Sequence, residues 1–211
     1  MRTVFTNNLV FNPFFKSDPM NPNPFTQFAS WFTEARASEP TLAEAVCLAT
    51  ATKSGRPSVR MVLLKQVGEA GFVFYTNLES RKADELTENP QAALLFHWKS
   101  LGRQVRIEGQ VERVSEADAK AYFDSRPKAS RLSAWASPQS KVVPNRTFLV
   151  DRVAKLEKQY SGEDVPLPAF WGGYRVIPGQ FEFWINRDDR LHDRFVYTKE
   201  GDGWDMTMLG P

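Results

Sequence analysis

Apolar and polar positions change period several times along the chain, and each change predicts an element. Residues 1–24 hold no sustained period and carry Asn12-Pro13, Asn21-Pro22 and Asn23-Pro24, pairs that favour turns and resist helix. Pro24 suits a first helical turn. Phe25, Phe28, Phe32 and Ala35 follow at helical spacing, which predicts an amphipathic helix over 24–37. Strand signals then dominate, over 46–52, 58–67, 71–77, 91–98 and 103–114, with Ser54-Gly55-Arg56-Pro57 as a turn. Helices interrupt them. One spans 80–88 and stops at Asn89-Pro90. A second opens on Ser115-Glu116-Ala117-Asp118, which resembles a capping box, and runs to about Ser125. Pro127 starts a third. The longest covers Thr147 to Tyr160, with Phe148, Val153, Leu156 and Tyr160 on one side and Gly162 as its expected cap. Strands return at 173–176, 180–185, 194–198 and 204–208.

Short strands joined by tight Gly/Pro turns predict an antiparallel sheet closing into a barrel. The expected class is α+β, a β-barrel with peripheral helices. No repeat or interdomain linker is visible, so an irregular arm (1–24) is expected to precede a single domain (25–211).

Net charge is +2, from 27 basic and 25 acidic residues, too balanced to point to nucleic acid. Any anion must be met by local clusters. The single cysteine, Cys47, allows no disulfide within the chain and is expected to be a buried thiol. With two histidines, a multi-histidine metal site is not expected. No stretch approaches the ~20 apolar residues of a membrane span, and residues 1–24 do not resemble a signal peptide. A cytoplasmic protein without a membrane or metal partner is the expectation. The many aromatics serve either a core or a pocket for a flat ligand.

Basic residues fall into separate clusters, each with two readings. Arg81 and Lys82 open a short helix. They are either solvated cations offset by Asp84 and Glu85, or a phosphate site at a helix N-terminus. In Arg60-Met61-Val62-Leu63-Leu64-Lys65, strand alternation places Arg60, Val62 and Leu64 on one face and Met61, Leu63 and Lys65 on the other. Each cation then needs a partner or an edge. In Arg190-Leu191-His192-Asp193-Arg194, an extended backbone projects Arg190, His192 and Arg194 from one face. Asp188, Asp189, Asp193 or an anionic ligand would relieve their repulsion. Tyr122, Ser125, Arg126 and Ser130 form either a capped helix junction or a hydroxyl-rich phosphate site. No GxGxxG or Walker loop is present.

An ordered set of segments runs along the chain: Arg60 to Lys65, Phe74-Tyr75-Thr76-Asn77 with Ser80-Arg81-Lys82, Arg103-Gln104-Val105, and Tyr122-Phe123 with Ser125-Arg126-Pro127. Pro138-Gln139-Ser140, Trp171-Gly172-Gly173 and Glu182-Phe183-Trp184 with Arg190 to Arg194 complete it. The resemblance these segments carry, over roughly residues 25–211, is to the pyridoxine/pyridoxamine 5′-phosphate oxidase family. It implies an FMN-binding split β-barrel, a homodimer with FMN at the subunit interface, and oxidation of pyridoxamine or pyridoxine 5′-phosphate by O2. The implied FMN residues are Arg60, Met61, Val62, Leu63, Leu64, Lys65, Tyr75, Thr76, Arg81, Lys82, Gln104, Gln139, Ser140, Trp184 and Arg194. The implied substrate residues are Lys65, Tyr122, Arg126, Ser130, Arg190, Leu191 and His192, with Arg190 and His192 nearest the chemistry.

Two features depart from the family pattern. The usual Arg-x-x-Tyr of the N-terminal arm has no counterpart, since Arg2 to Phe5 has the spacing without the hydroxyl. The usual Arg-Leu-x-Pro is Met208-Leu209-Gly210-Pro211. Two rival readings stand beside the first: a related flavin oxidase acting on another aromatic acid, as in phenazine-making enzymes, and a non-catalytic protein holding FMN or pyridoxal phosphate.

Overall fold

The computed structural model describes residues 20–211. Asn12-Pro13 and the Arg2–Phe5 spacing lie outside them. Helix α1 (Pro24–Ser38) starts where expected, because the Asn23 side-chain oxygen accepts from the N–H of Phe25 (2.8 Å) and Thr26 (3.2 Å). Its Phe28, Trp31 and Ala35 are buried, so the helix packs its apolar face into the sheet's core.

The strands β1 (Ala45–Ala51), β2 (Pro57–Gly68), β3 (Gly71–Asn77), β4 (Gln91–Trp98), β5 (Arg103–Arg113), β6 (Trp171–Ile185), β7 (Asp193–Glu200) and β8 (Gly203–Leu209) form one sheet. Its order is β3-β2-β1-β4-β5-β6-β7-β8, and pairing of β3 with β6 closes the first six into an antiparallel barrel. The expected α+β split barrel is therefore the observed fold. Val46, Leu48, Leu94, Phe96, Val105, Ile107, Phe181 and Phe183 fill the interior, each essentially inaccessible. Among the described residues most of the aromatic side chains lie in this core or pack against it.

Three expectations need correction. Cys47 is not a core thiol. On β1 the buried positions are Val46, Leu48 and Thr50, so Cys47 faces out of the barrel, half-buried, with Sγ 3.2 Å from Met61 Sδ. The segments 173–176 and 180–185 are one continuous strand. Pro178 is tolerated because it lies opposite Gly109, where the β5–β6 register shifts and the ladder does not require its missing N–H. A Cβ at Gly109 would run into the Ile177 carbonyl, so glycine is needed there. Finally, Gly162 does not take the left-handed conformation of a helix cap. The Lys128 ammonium instead donates to the Tyr160 carbonyl at 2.5 Å.

Helix α2 (Arg81–Glu88) links β3 to β4. Helices α3 (Glu116–Asp124), α4 (Lys128–Ala136) and α5 (Arg146–Gln159) fill the β5–β6 connection. Ser115 caps α3 through an N–H donated by Asp118 (3.0 Å), half of the expected capping box. Phe123 and Leu132 join Val165 and Trp171 in a second small core that fixes α3 and α4 against the barrel. Among the described residues no helix is long and apolar enough to cross a membrane.

Candidate active site

Between β2, the end of β3, the start of α2, and α3–α4 lies a cleft of about 870 Å³. The strand alternation read from the sequence sets its first wall. Ser58, Arg60, Val62 and Leu64 turn to the more buried side of β2, while Val59, Met61, Leu63 and Lys65 are exposed. Leu64 belongs to the barrel core and does not line the cleft, whereas Arg60, Met61, Val62, Leu63 and Lys65 do.

The cations at one end differ in how they are satisfied. Arg60 donates to the Glu85 carboxylate (3.3 Å), the Leu48 carbonyl (3.2 Å) and the hydroxyls of Thr50 and Ser58. Arg81 pairs with Glu85 one helical turn away at 2.8 Å. Burial alone would raise the Glu85 carboxyl, but hydrogen bonds from Ser58, Thr50, Arg81 and Arg60 hold it down at about 2. Glu85 therefore anchors both arginines at the cleft's edge.

Lys82 is not the solvated cation of the simpler reading. Its side chain is buried, and Nζ donates to Gln139 Oε1 (2.7 Å), Thr76 Oγ1 (3.0 Å) and Ser80 Oγ (3.1 Å), all neutral. Burial, then the charge of Arg60, pulls its pKa down to about 8, with Glu85 opposing. Gln139 reaches Lys82 from the turn after α4. In that turn Ser140 holds φ 68°, a left-handed conformation uncommon outside glycine, on the cleft wall.

Another part of the cleft wall is aromatic. Tyr75, Tyr122 and Trp171 lie nearly parallel. Tyr75 is 4.2 Å from Tyr122 at 16° and 5.4 Å from Trp171 at 3°, centroid to centroid. Tyr75 can lie flat because its cross-strand partner is Gly173, where a Cβ would come within 2.7 Å of the ring. The Arg126 guanidinium sits over Trp171 at 5.1 Å, and its buried Nη1 has no hydrogen-bond partner among the described residues. Burial lowers the Arg126 pKa. Along α4 and its C-cap, Ser130, Ser133, Ala134 and Ser137 line the cleft, at helical spacing.

The cleft thus gathers Arg60, Met61, Val62, Leu63, Lys65, Tyr75, Thr76, Arg81, Lys82, Tyr122, Arg126, Ser130, Gln139 and Ser140 from the sequence-derived set. It also contains residues that reasoning from sequence missed. Ser133 and Ser137 were legible from helical spacing after Ser130, and Ser58 from alternation with Arg60. Nothing local marked Asn77 or Trp171 as lining.

Gln104, Trp184, Arg190, Leu191, His192 and Arg194 do not line this cleft. Gln104, Trp184 and Arg194 are successive cross-strand neighbours on β5, β6 and β7. The expected single extended face of Arg190, His192 and Arg194 is not formed. Asp188–Arg190 is a 3-10 turn, with φ 55° at Asp189 and 62° at Arg190. Asp193 pairs with Arg187 (2.7 Å), and Arg194 pairs with the buried Glu182 (2.7 Å). His192 Nδ1 accepts from the Arg187 N–H (3.2 Å), which leaves Nε2 for another partner, and its ring lies 4.5 Å from Trp184. The chain therefore carries two separate polar patches.

Comparison with known proteins adds the lineage. Residues 32–160 match the family described as Pyridoxamine 5′-phosphate oxidase, and residues 171–211 match the Pyridoxine 5′-phosphate oxidase C-terminal dimerisation region. The chain belongs to the pyridoxamine 5′-phosphate oxidase family. It is an oxidoreductase of that family. A relative named Pyridoxine/pyridoxamine 5′-phosphate oxidase from Gluconobacter oxydans is 54% identical, covering 91% of this chain and 96% of that one. The protein of the same name from Novosphingobium aromaticivorans is 56% identical, covering 90% and 94%. Among solved structures, PhzG from Burkholderia lata, in complex with tetrahydrophenazine-1-carboxylic acid, is 32% identical. It superposes with a TM-score of 0.85 and covers 96% of this chain and 98% of that one. A pyridoxamine 5′-phosphate oxidase-related, FMN-binding protein from Nostoc punctiforme, 19% identical, shares the fold with a TM-score of 0.71 over 90% and 98% of the two chains.

Proposed function

We propose that this protein oxidises pyridoxamine 5′-phosphate and pyridoxine 5′-phosphate to pyridoxal 5′-phosphate, with FMN as cofactor and O2 reduced to hydrogen peroxide. The observation that carries this reading is a pair of cations in one cleft, Lys82 and Arg126. Among the described residues neither touches a carboxylate: Lys82 donates to neutral oxygens, and Arg126 lies against the Trp171 and Phe123 rings with Nη1 unpartnered. Two cation sites in one cleft with an aromatic wall suit two phosphorylated aromatic molecules, a flavin mononucleotide and a smaller substrate.

Lys82, with Arg81, Thr76, Gln139 and Ser140, fits the FMN phosphate, because a dianion would supply the charge that Lys82 lacks. Arg60 to Lys65 and Tyr75 would hold the rest of the cofactor. Lys65, Tyr122, Arg126 and Ser130 fit the substrate phosphate. When bound, FMN supplies the two-electron acceptor. The protein's part is to fix the substrate's 4′ carbon, exclude water and balance charge. The substrate loses a hydride and a proton. The amine becomes an imine that water hydrolyses to the aldehyde and ammonia, and the alcohol gives the aldehyde directly. O2 takes up the two electrons with two protons.

Gln104, Trp184 and Arg194 for FMN, and Arg190, Leu191 and His192 for substrate, lie away from the cleft of their own chain. A homodimer is the arrangement that would supply them. Support comes from the dimerisation-region match and from exposed Met61 and Leu95, which flank the half-buried Cys47 in a row across β2, β1 and β4. His192, whose Nδ1 is held by the Arg187 N–H, would orient the pyridine ring together with Arg190.

The likeness to PhzG favours a second reading, an oxidase of another aromatic acid. Aerobic assays of the FMN-loaded protein separate the two. Pyridoxamine 5′-phosphate is expected to yield peroxide and aldehyde in equal amounts. Peroxide from a reduced phenazine carboxylic acid, and none from either vitamin B6 phosphate, would overturn the substrate assignment.

A further inference from the structure

We propose that Trp171 is a positioning residue for the substrate's phosphate: its ring holds the Arg126 guanidinium where a carboxylate would otherwise sit. The inference deepens the function proposed above and rests on it. Elsewhere in this fold a well-covered arginine takes an acid. Arg60 has Glu85, Arg103 has Glu34, and Arg131 has Asp164. Arg126 has no such partner among the described residues, although its Nη1 is buried. What it has is aromatic: Trp171 at 5.1 Å and Phe123 at 5.6 Å from ring centroid to guanidinium carbon.

The difference has a chemical consequence. A carboxylate would satisfy Arg126 and neutralise it, and an arriving phosphate would have to displace or be repelled by that charge. A ring face attracts the cation through its quadrupole but offers no strong acceptor, so the N–H groups stay free for oxygen ligands. Trp171 is itself rigidly held. It is 7% exposed, its N–H donates to the Pro168 carbonyl (3.0 Å), it pairs with Asn77 across β3–β6, and Phe123 packs edge-on at 5.0 Å. The near-parallel Tyr75 ring backs it. The platform is thus preformed on barrel strands, and Arg126 comes to it from the end of α3.

The test uses the FMN-loaded enzyme with Trp171→Leu, Trp171→Phe, Arg126→Ala and the double variant Trp171→Leu/Arg126→Ala. Trp171→Leu is expected to raise KM for pyridoxine 5′-phosphate about ten-fold, the range of a desolvated cation–ring contact. Its kcat and FMN affinity should stay near wild type, and Trp171→Phe should recover most of the loss. Arg126→Ala should cost clearly less in the Trp171→Leu background than alone, since the two act as one unit. Additive costs would overturn the inference. So would a Phe variant as impaired as Leu, an equal loss of FMN affinity and kcat, or an equal rise in KM for unphosphorylated pyridoxine. A wild type that turns over neither vitamin B6 phosphate would overturn the proposed function, and this inference with it.

Discussion

Free pyridoxine is expected to be oxidised at least about 10³-fold less efficiently than pyridoxine 5′-phosphate, from the loss of two or three charge-assisted contacts. The cleft end assigned to the phosphate offers Lys65, Arg126, Tyr122 and Ser130. Among the described residues the buried Nη1 of Arg126 has no hydrogen-bond partner. A hydroxymethyl group in place of phosphate leaves that donor unmet, and a site built for a polar group rejects its analogue more strongly than an apolar pocket does. Arg126→Ala should lower kcat/KM for the phosphorylated substrate roughly 10- to 100-fold and barely change the unphosphorylated one. Oxidation of free pyridoxine within about tenfold of its phosphate would contradict the assignment.

FMN affinity is expected to weaken as pH rises above about 8, and Lys82→Met is expected to abolish that limb. In the free protein Lys82 loses its proton near 8, because burial disfavours the ammonium. A bound phosphate dianion favours the ammonium, so the complex holds the proton to higher pH and binding takes one up. Affinity should then fall about tenfold per pH unit above that point until the complex itself titrates. On the acid side, affinity declines below about 6, where the phosphate takes its second proton. At neutral pH, Lys82→Met should weaken FMN by roughly 10- to 100-fold, the loss of a charge-assisted hydrogen bond. The folding sign is opposite. With a depressed lysine pKa, wild-type stability rises from about 8 toward 10.5, because the unfolded chain keeps the proton longer. Fluorescence titration of FMN across pH measures the affinity. Parallel curves for wild type and Lys82→Met would exclude this role for Lys82.

Local chemistry in the sequence was enough for most elements and for one wall of the site. Strand alternation placed Arg60 and Lys65 on opposite faces of β2, and the structure shows them so. Helix starts at Asn23 and Ser115 were legible because each cap is a contact between near neighbours. What pattern could not supply was tertiary. Pro178-Gly179 reads as a break, yet a register shift against Gly109 accommodates it. Lys82 reads as a surface cation until the turn carrying Gln139 folds over it. Trp171 carries no local signal, since its importance comes from Tyr75 and Arg126, which lie far away in sequence. The Arg190–Arg194 segment was misread as extended, because positive φ at Asp189 and Arg190 is not encoded by glycine there. The resemblance to a family, by contrast, supplied a residue set spread over both patches, which no single-chain pattern would have joined.

The central claim, a flavin-linked oxidation of vitamin B6 phosphates in the Lys82–Arg126 cleft, is tested most directly by one absorbance measurement. The FMN-loaded protein is mixed with pyridoxamine 5′-phosphate in the absence of oxygen, and the flavin band near the visible is followed. The account predicts that the band bleaches at a stoichiometry of one substrate per flavin, with pyridoxal 5′-phosphate formed, and that it returns when air is admitted. An oxidised spectrum that persists under saturating substrate would contradict it.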